Sequence, residues 1–127
     1  KINKPKYDDS WKRWNQTLDM LKHLDTRTVL RITLIKDYND QKEMIPAFAK
    51  MFRNASPHFI EIKSYMHIGR STNRLEHSNM LEMNEIQNFS NQVAKDSKIF
   101  SVMDESIISR ISILQNNERM INPMITV

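Results

Sequence analysis

The chain is predicted to be α/β, with parallel strands separated by helices. Short runs rich in β-branched residues, at 28–35 and 59–64, alternate with longer stretches whose apolar residues recur every three or four positions. No internal repeat or low-complexity segment competes with that order. Helix, strand, helix, strand, helix, strand is half of a barrel or of a doubly wound sheet. Three such strands leave two edges that another part of a protein must cover.

Residues 1–9 are linker-like, and an opening Lys1-Ile2-Asn3-Lys4-Pro5-Lys6 without methionine suits the interior of a longer polypeptide. Asp9-Ser10 can cap a helix whose apolar stripe is Trp11, Trp14, Leu18, Leu21 and Leu24. That spacing makes the two tryptophans core residues rather than platforms for nucleobases. Thr28 to Ile35 is apolar almost throughout, as in a strand covered on both faces. The turn Asp37-Tyr38-Asn39-Asp40 leads to a second helix with Ile45, Phe48, Ala49 and Phe52 inward, Pro46 in its first turn and an end near Asn54. Phe59 to Ser64 is the next strand. A loop to about Met80 comes after it, then a third helix from Glu82 to Ala94 with Ile86, Phe89 and Val93 buried. Lys98 to Met103 reads as a short strand, and Ile107 to Leu114 as a second strand or a continuation through a bulge. Residues 115–127 read as a tail, so that 1–127 is one domain-sized portion.

Composition narrows the function. Charged residues make up 27% of the chain and hydrophobic ones 39%, so the apolar positions must be well patterned to close a core. Nineteen Lys and Arg against fifteen Asp and Glu give a net charge of +4, which permits binding to polyanions such as RNA without requiring it. With no cysteine, neither disulfides nor thiolate-held metals or iron–sulfur clusters can be built from this chain. The four histidines lack the spacing of a metal site, and a single glycine, Gly69, rules out a Gly-rich phosphate loop. No apolar run reaches the ~20 residues that span a bilayer, so no membrane is expected and the cytoplasm is the expected compartment.

The strand 59–64 and the segment running from it to Arg74 form the most informative stretch. Phe59-Ile60-Glu61-Ile62-Lys63 runs into Tyr65, Met66 and His67, then Gly69-Arg70 and Arg74. Strand ends in α/β folds are where sites are built. Lys63 can meet a carboxylate, a phosphate or a carbonyl there, or simply reach for solvent. Asn39, beyond the preceding strand, can donate and accept, and is equally a turn-former. Arg31 and Glu61 are charges inside apolar strands, which calls for pairing, either structural or toward a ligand. Arg70 and Arg74, with His67 and His77 nearby, either grip phosphates or form a solvated loop. Tyr65 can stack on an unpaired base.

Four segments resemble the C-terminal part of the radical S-adenosylmethionine barrel of the tRNA wyosine synthases. They are Ser10-Trp11 with Arg27 to Lys36 and Asn39; Phe59 to Lys63 with Tyr65 to Gly69; Ser71, Arg74-Leu75 and Asn79-Met80 with Glu85-Ile86; and Glu105 with Ser109-Arg110. In two places the chain departs from the family pattern: Leu81 and Met83 stand where it has proline and histidine, and Ser106 and Ile108 where it has histidines.

The resemblance implies the C-terminal half of a partial (β/α)6 TIM-type barrel with parallel strands. It implies an enzyme that condenses 1-methylguanosine in the anticodon region of tRNA with carbons of pyruvate to give 4-demethylwyosine. S-adenosylmethionine and a [4Fe–4S] cluster are the implied cofactors, the cluster ligands lying outside this chain. Electrons would come from a flavoprotein or a fused flavodoxin-like domain carrying FMN, and the N-terminal half of the barrel would be the structural partner. Lys63 and Tyr65 are the implied catalytic residues; Asn39, Arg31 and Lys36 the cofactor contacts; His67, Arg70 and Arg74 the RNA contacts. The alternative is a degenerate, non-catalytic paralogue that serves as an RNA-binding or scaffold module.

Overall fold

Alternation of side chains along each strand decides which face of the sheet is buried. The computed structural model describes residues 10–24, 26–68 and 75–119, with the side chains of Ser10 and Trp11 outside the description. Its elements are α1 (Ser10–Leu21), β1 (Val29–Leu34), α2 (Ile45–Ala55), β2 (Phe59–Ser64), α3 (Met83–Ser97), β3 (Phe100–Ser106) and β4 (Ile111–Asn116). The strands form one sheet in the order β1-β2-β4-β3. β1 and β2 are parallel and paired from Val29 opposite Phe59 to Leu34 opposite Ser64.

Leu30, Ile32 and Leu34 of β1, Ile60 and Ile62 of β2 and Leu114 of β4 face the helices. There they meet Phe52 of α2 and Ile86, Phe89 and Val93 of α3. Phe52 is fully buried and meets Phe100 edge-on at 6.5 Å between ring centres. α1 lies farther out, packed on α2 through Leu18 and Leu21.

Several sequence expectations are corrected. The parallel-strand arrangement holds only for β1 and β2; β4 is antiparallel to both β2 and β3. The reason lies in the turn at 107–110, which is far too short for the crossover of a dozen or more residues that a parallel neighbour requires. β3 does run in the direction of β1 and β2, but β4 occupies the place beside β2. β1 is covered on one face only: Val29, Arg31 and Thr33 remain exposed. Trp14 is 39% exposed rather than a core residue, because α1 touches α2 along a narrow stripe. The supposed tail begins two residues late, since Gln115 and Asn116 belong to β4.

Helix ends are closed without glycine. α2 ends on Ser56 and α3 on Lys98, both left-handed (φ 45° and 69°), and each donates its N–H back to the final turn. At its start, α3 has a capping box in which the Glu82 N–H donates to Glu85 Oε1 at 2.9 Å.

At the amino ends of the parallel strands, His58 is buried against Thr28. Its Nδ1 accepts from the Thr28 N–H at 3.1 Å, and its own N–H donates to Thr28 Oγ1 at 3.0 Å. Burial, and secondarily the nearby Arg119 guanidinium, push the His58 pKa below its ordinary 6.5. On acidification through that value the unfolded chain takes up a proton that the folded chain resists, so stability falls. The melting temperature should therefore drop between pH 7.5 and 5.5. In His58→Asn, which keeps an acceptor but cannot titrate, the drop should be smaller; equal drops in both proteins would remove His58 as the cause.

Candidate functional site

The face of the sheet opposite the helices has no covering layer among the described residues, and it carries the odd-numbered side chains of β1 and β2. Arg31 and Glu61 stand opposite each other in the register and pair through Arg31 Nε and Glu61 Oε2 at 3.0 Å. The Arg31 side chain is nevertheless 75% exposed, so the pair is a surface one worth well under ~1 kcal/mol. Arg27 places its guanidinium 5.3 Å above the Phe59 ring. Together with Met103 and Ile113 these residues line a groove of about 500 Å³.

Lys63 lies at the carboxyl end of this face, level with Thr33 on one side and Ile111 on the other. It is half-buried, and no described group forms a hydrogen bond or ion pair with its ammonium. A partly desolvated, unpaired cation is a natural seat for an anion.

Just beyond Lys63, Tyr65 packs into a small apolar cluster with Ile35, Leu75 and Met80. Its hydroxyl and His67 Nδ1 are 2.7 Å apart. The His67 ring in turn meets His77 edge-on at 6.0 Å. Backbone geometry fixes the segment that closes over these groups. The Lys36 N–H donates to Asn79 O at 2.8 Å, and Asn79 Nδ2 donates to Lys36 O at 2.9 Å. Ser64 Oγ accepts from the Leu81 N–H at 2.8 Å while Arg110 donates to Leu81 O at 2.8 Å. The Ser64 N–H donates to Arg110 O at 3.1 Å. Ser64, Asn79 and Arg110 were not among the sequence candidates. A small polar residue at a helix-facing strand position was the one available sign of Ser64.

The structure brings Lys63, Tyr65 and His67 to one rim, and it separates the other candidates from them. Asn39 spends its amide within its own turn: Oδ1 accepts from the Ile35 N–H at 2.7 Å and Nδ2 donates to Thr33 O at 3.0 Å. This is the turn-forming role, and it leaves a cofactor little to bind. Lys36 points to the helical side, where Nζ and Glu85 Oε2 are 3.2 Å apart. The reason is parity: Lys36 lies two residues after the buried Leu34, whereas Lys63 lies one before the buried Ser64. Arg31 reaches the open face but is engaged by Glu61. Arg70 and Arg74 lie outside the described residues.

A helix-backed sheet with one face open and basic, hydroxyl and imidazole groups at the ends of its parallel strands belongs to the α/β proteins whose sites form at strand ends. Comparison with known proteins makes this specific. The family described as wyosine base formation matches residues 54–116. The S-adenosyl-L-methionine-dependent tRNA 4-demethylwyosine synthase of Methanocaldococcus jannaschii is 42% identical over 113 residues, covering 89% of this chain and 35% of the relative. A structure of TYW1 with a lysine-pyruvate adduct bound superposes with a TM-score of 0.82 at 38% identity, over 94% of this chain and 37% of that one. A crystal structure of archaeal TYW1 superposes with a TM-score of 0.74 at 35% identity, over 92% and 36%.

The chain belongs to the tRNA 4-demethylwyosine synthase family. It spans about a third of the length of these relatives.

Proposed function

We propose that this chain forms one wall of the reaction chamber of a tRNA 4-demethylwyosine synthase, with the open sheet face turned inward. The observation that carries the reading is the half-buried Lys63 on that face, without a partner among the described residues, in a chain whose structural relatives include a TYW1 with a lysine-pyruvate adduct bound. The sheet is then a segment of a partial barrel. Further strands from the rest of the protein complete it along the free edge of β1.

Within the chamber Lys63 provides a positive charge for the carboxylate of pyruvate. The hydrogen bond to His67 fixes the orientation of the Tyr65 hydroxyl, and the apolar cluster around the ring keeps water away from it. Arg31 and Glu61 present both signs of charge to the groove, a donor and acceptor set that fits the amino-acid end of S-adenosylmethionine. When bound, that molecule supplies the radical initiator. The [4Fe–4S] cluster does not fit this chain, which has no cysteine to hold it. The cluster and the electron source are assigned to other parts of the protein or to a partner flavoprotein.

The tRNA approaches over the carboxyl ends of β1 and β2, where the sequence continues into Arg70 and Arg74. If both arginines neutralise phosphates, Arg70→Ala with Arg74→Ala weakens tRNA binding and lowers the slope of log affinity against log salt by roughly 1.5–2. An unchanged slope in a salt titration of the intact protein would place tRNA elsewhere.

A further inference from the structure

β3 departs from regular pairing at one place: the register shifts between Val102 and Asp104, with Met103 as the extra residue. Phe100 is buried among the helices and Val102 packs against the same core, so strict alternation would send Asp104 to the helical side as well. The bulge cancels one step of the alternation. Asp104 therefore stands opposite Ile113 on the open face, and Glu105 turns toward α3, where its Oε2 accepts from Gln87 Nε2 at 2.9 Å. Met103 and Asp104 both line the groove that Arg31 and Glu61 line from the other side. A bulge can also blunt an edge strand, and β3 is an edge of the sheet. Blunting needs the extra residue, but it does not need a carboxylate over the open face.

Register says what that carboxylate can meet. Arg31, Glu61, Ile113 and Asp104 form one row across β1, β2, β4 and β3. The row has a guanidinium at one end, a carboxylate at the other, and an apolar side chain between Glu61 and Asp104. Two strand spacings, roughly 10 Å, separate Glu61 from Asp104, so the row suits an elongated ligand and not a compact ion. Asp104 is oriented through one oxygen, since Oδ1 accepts from the Glu105 N–H at 2.8 Å. Its other oxygen has no hydrogen-bond or ion-pair partner among the described residues. A ligand along the row must be zwitterionic or anionic at Arg31, carbon-rich over Ile113 and a hydrogen-bond donor at Asp104.

We propose that Asp104 is a binding residue that accepts hydrogen bonds from the ribose hydroxyls of S-adenosylmethionine when the amino-acid end of that molecule lies at Arg31 and Glu61. This rests on the seat proposed above for the amino-acid end. A carboxylate accepting from ribose hydroxyls is a recurring way to hold a nucleoside. The carbon chain between the two ends then crosses Ile113 with Met103 beside it, where no polar group has to be desolvated. The ribose of a tRNA nucleotide is a poor match for the same position, because its flanking phosphates are repelled by Asp104 and by the adjoining Glu105.

The test is equilibrium dialysis of the intact protein and of Asp104→Ala with S-adenosylmethionine and with its 2′-deoxy and 3′-deoxy analogues, a readout independent of turnover. The wild-type protein should bind at least one deoxy analogue about tenfold more weakly than S-adenosylmethionine, the loss expected for one hydrogen bond to a charged group. Asp104→Ala should bind S-adenosylmethionine about tenfold more weakly and no longer distinguish it from that analogue, because the two changes remove the same contact. Equal binding of all three ligands by the wild-type protein overturns the assignment, whatever the variant does. So does a variant that keeps the wild-type discrimination; if that variant also aggregates, the bulge and its carboxylate serve to protect the edge of β3. If the wild-type protein binds no S-adenosylmethionine, the reading of the groove fails as a whole; if it binds but ignores the ribose hydroxyls, only the role of Asp104 fails.

Discussion

Lys63→Ala in the intact protein should lower the rate of 4-demethylwyosine formation by on the order of 10²-fold, the typical loss when a single preorganised electrostatic contact to a reacting group is removed. The effect should be local. Lys63 has no ion pair or hydrogen bond among the described residues, so its removal orphans no protein group. It is half-buried on the open face, so no cavity forms in the helix-backed core. The melting temperature should therefore hold while the apparent KM for pyruvate rises and turnover falls. Full activity would remove Lys63 from the site. A loss of activity accompanied by a loss of stability would recast it as structural.

Phe52→Ala should have the largest effect on the fold, about 3–5 kcal/mol. Phe52 has no exposure and touches both helical and strand partners, lying 5.9 Å from the Phe48 ring and 6.5 Å from the Phe100 ring, centre to centre. Alanine would leave a void that α2, fixed between α1 and α3, cannot collapse to fill. Small domains are stable by only about 5–15 kcal/mol, so such a loss is a large share of the total. Chemical denaturation should show the midpoint falling sharply with little change in slope. A change below about 1 kcal/mol, far short of the range for a buried aromatic, would mean that the core is centred elsewhere.

Much of this architecture is written in short-range pattern. Ile86, Phe89 and Val93 repeat at helical spacing and are buried on α3, and Ile60 and Ile62 alternate with Glu61 and Lys63 as a one-sided strand requires. The position of β4 is not legible that way. Period-two alternation says which face a residue takes but not which strand lies beside it, and Ile107-Ile108 gives no turn signal of the Asn-Gly kind.

Parity alone made legible which face of the sheet Lys63 takes. For Asn39 the sequence left a ligand contact and a turn-forming role open, and for Lys36 the partner is a side chain remote in sequence. The amide of Asn39 is taken by Thr33 O and the Ile35 N–H, and Lys36 is drawn to Glu85, 49 residues away. Arg119 donates to Leu21 O and Ser56 O across 98 and 63 residues, a clamp that no local pattern encodes.

One measurement bears most directly on the claim that this chain walls a wyosine-forming chamber. The intact protein, reduced and supplied with S-adenosylmethionine and carbon-labelled pyruvate, is incubated with tRNA bearing 1-methylguanosine, and the nucleosides are resolved by mass. Label from pyruvate should appear in a tricyclic nucleoside with the wild-type protein and be strongly reduced with Lys63→Ala. Unmodified 1-methylguanosine in the wild-type reaction, with tRNA bound and the cluster intact, would contradict it.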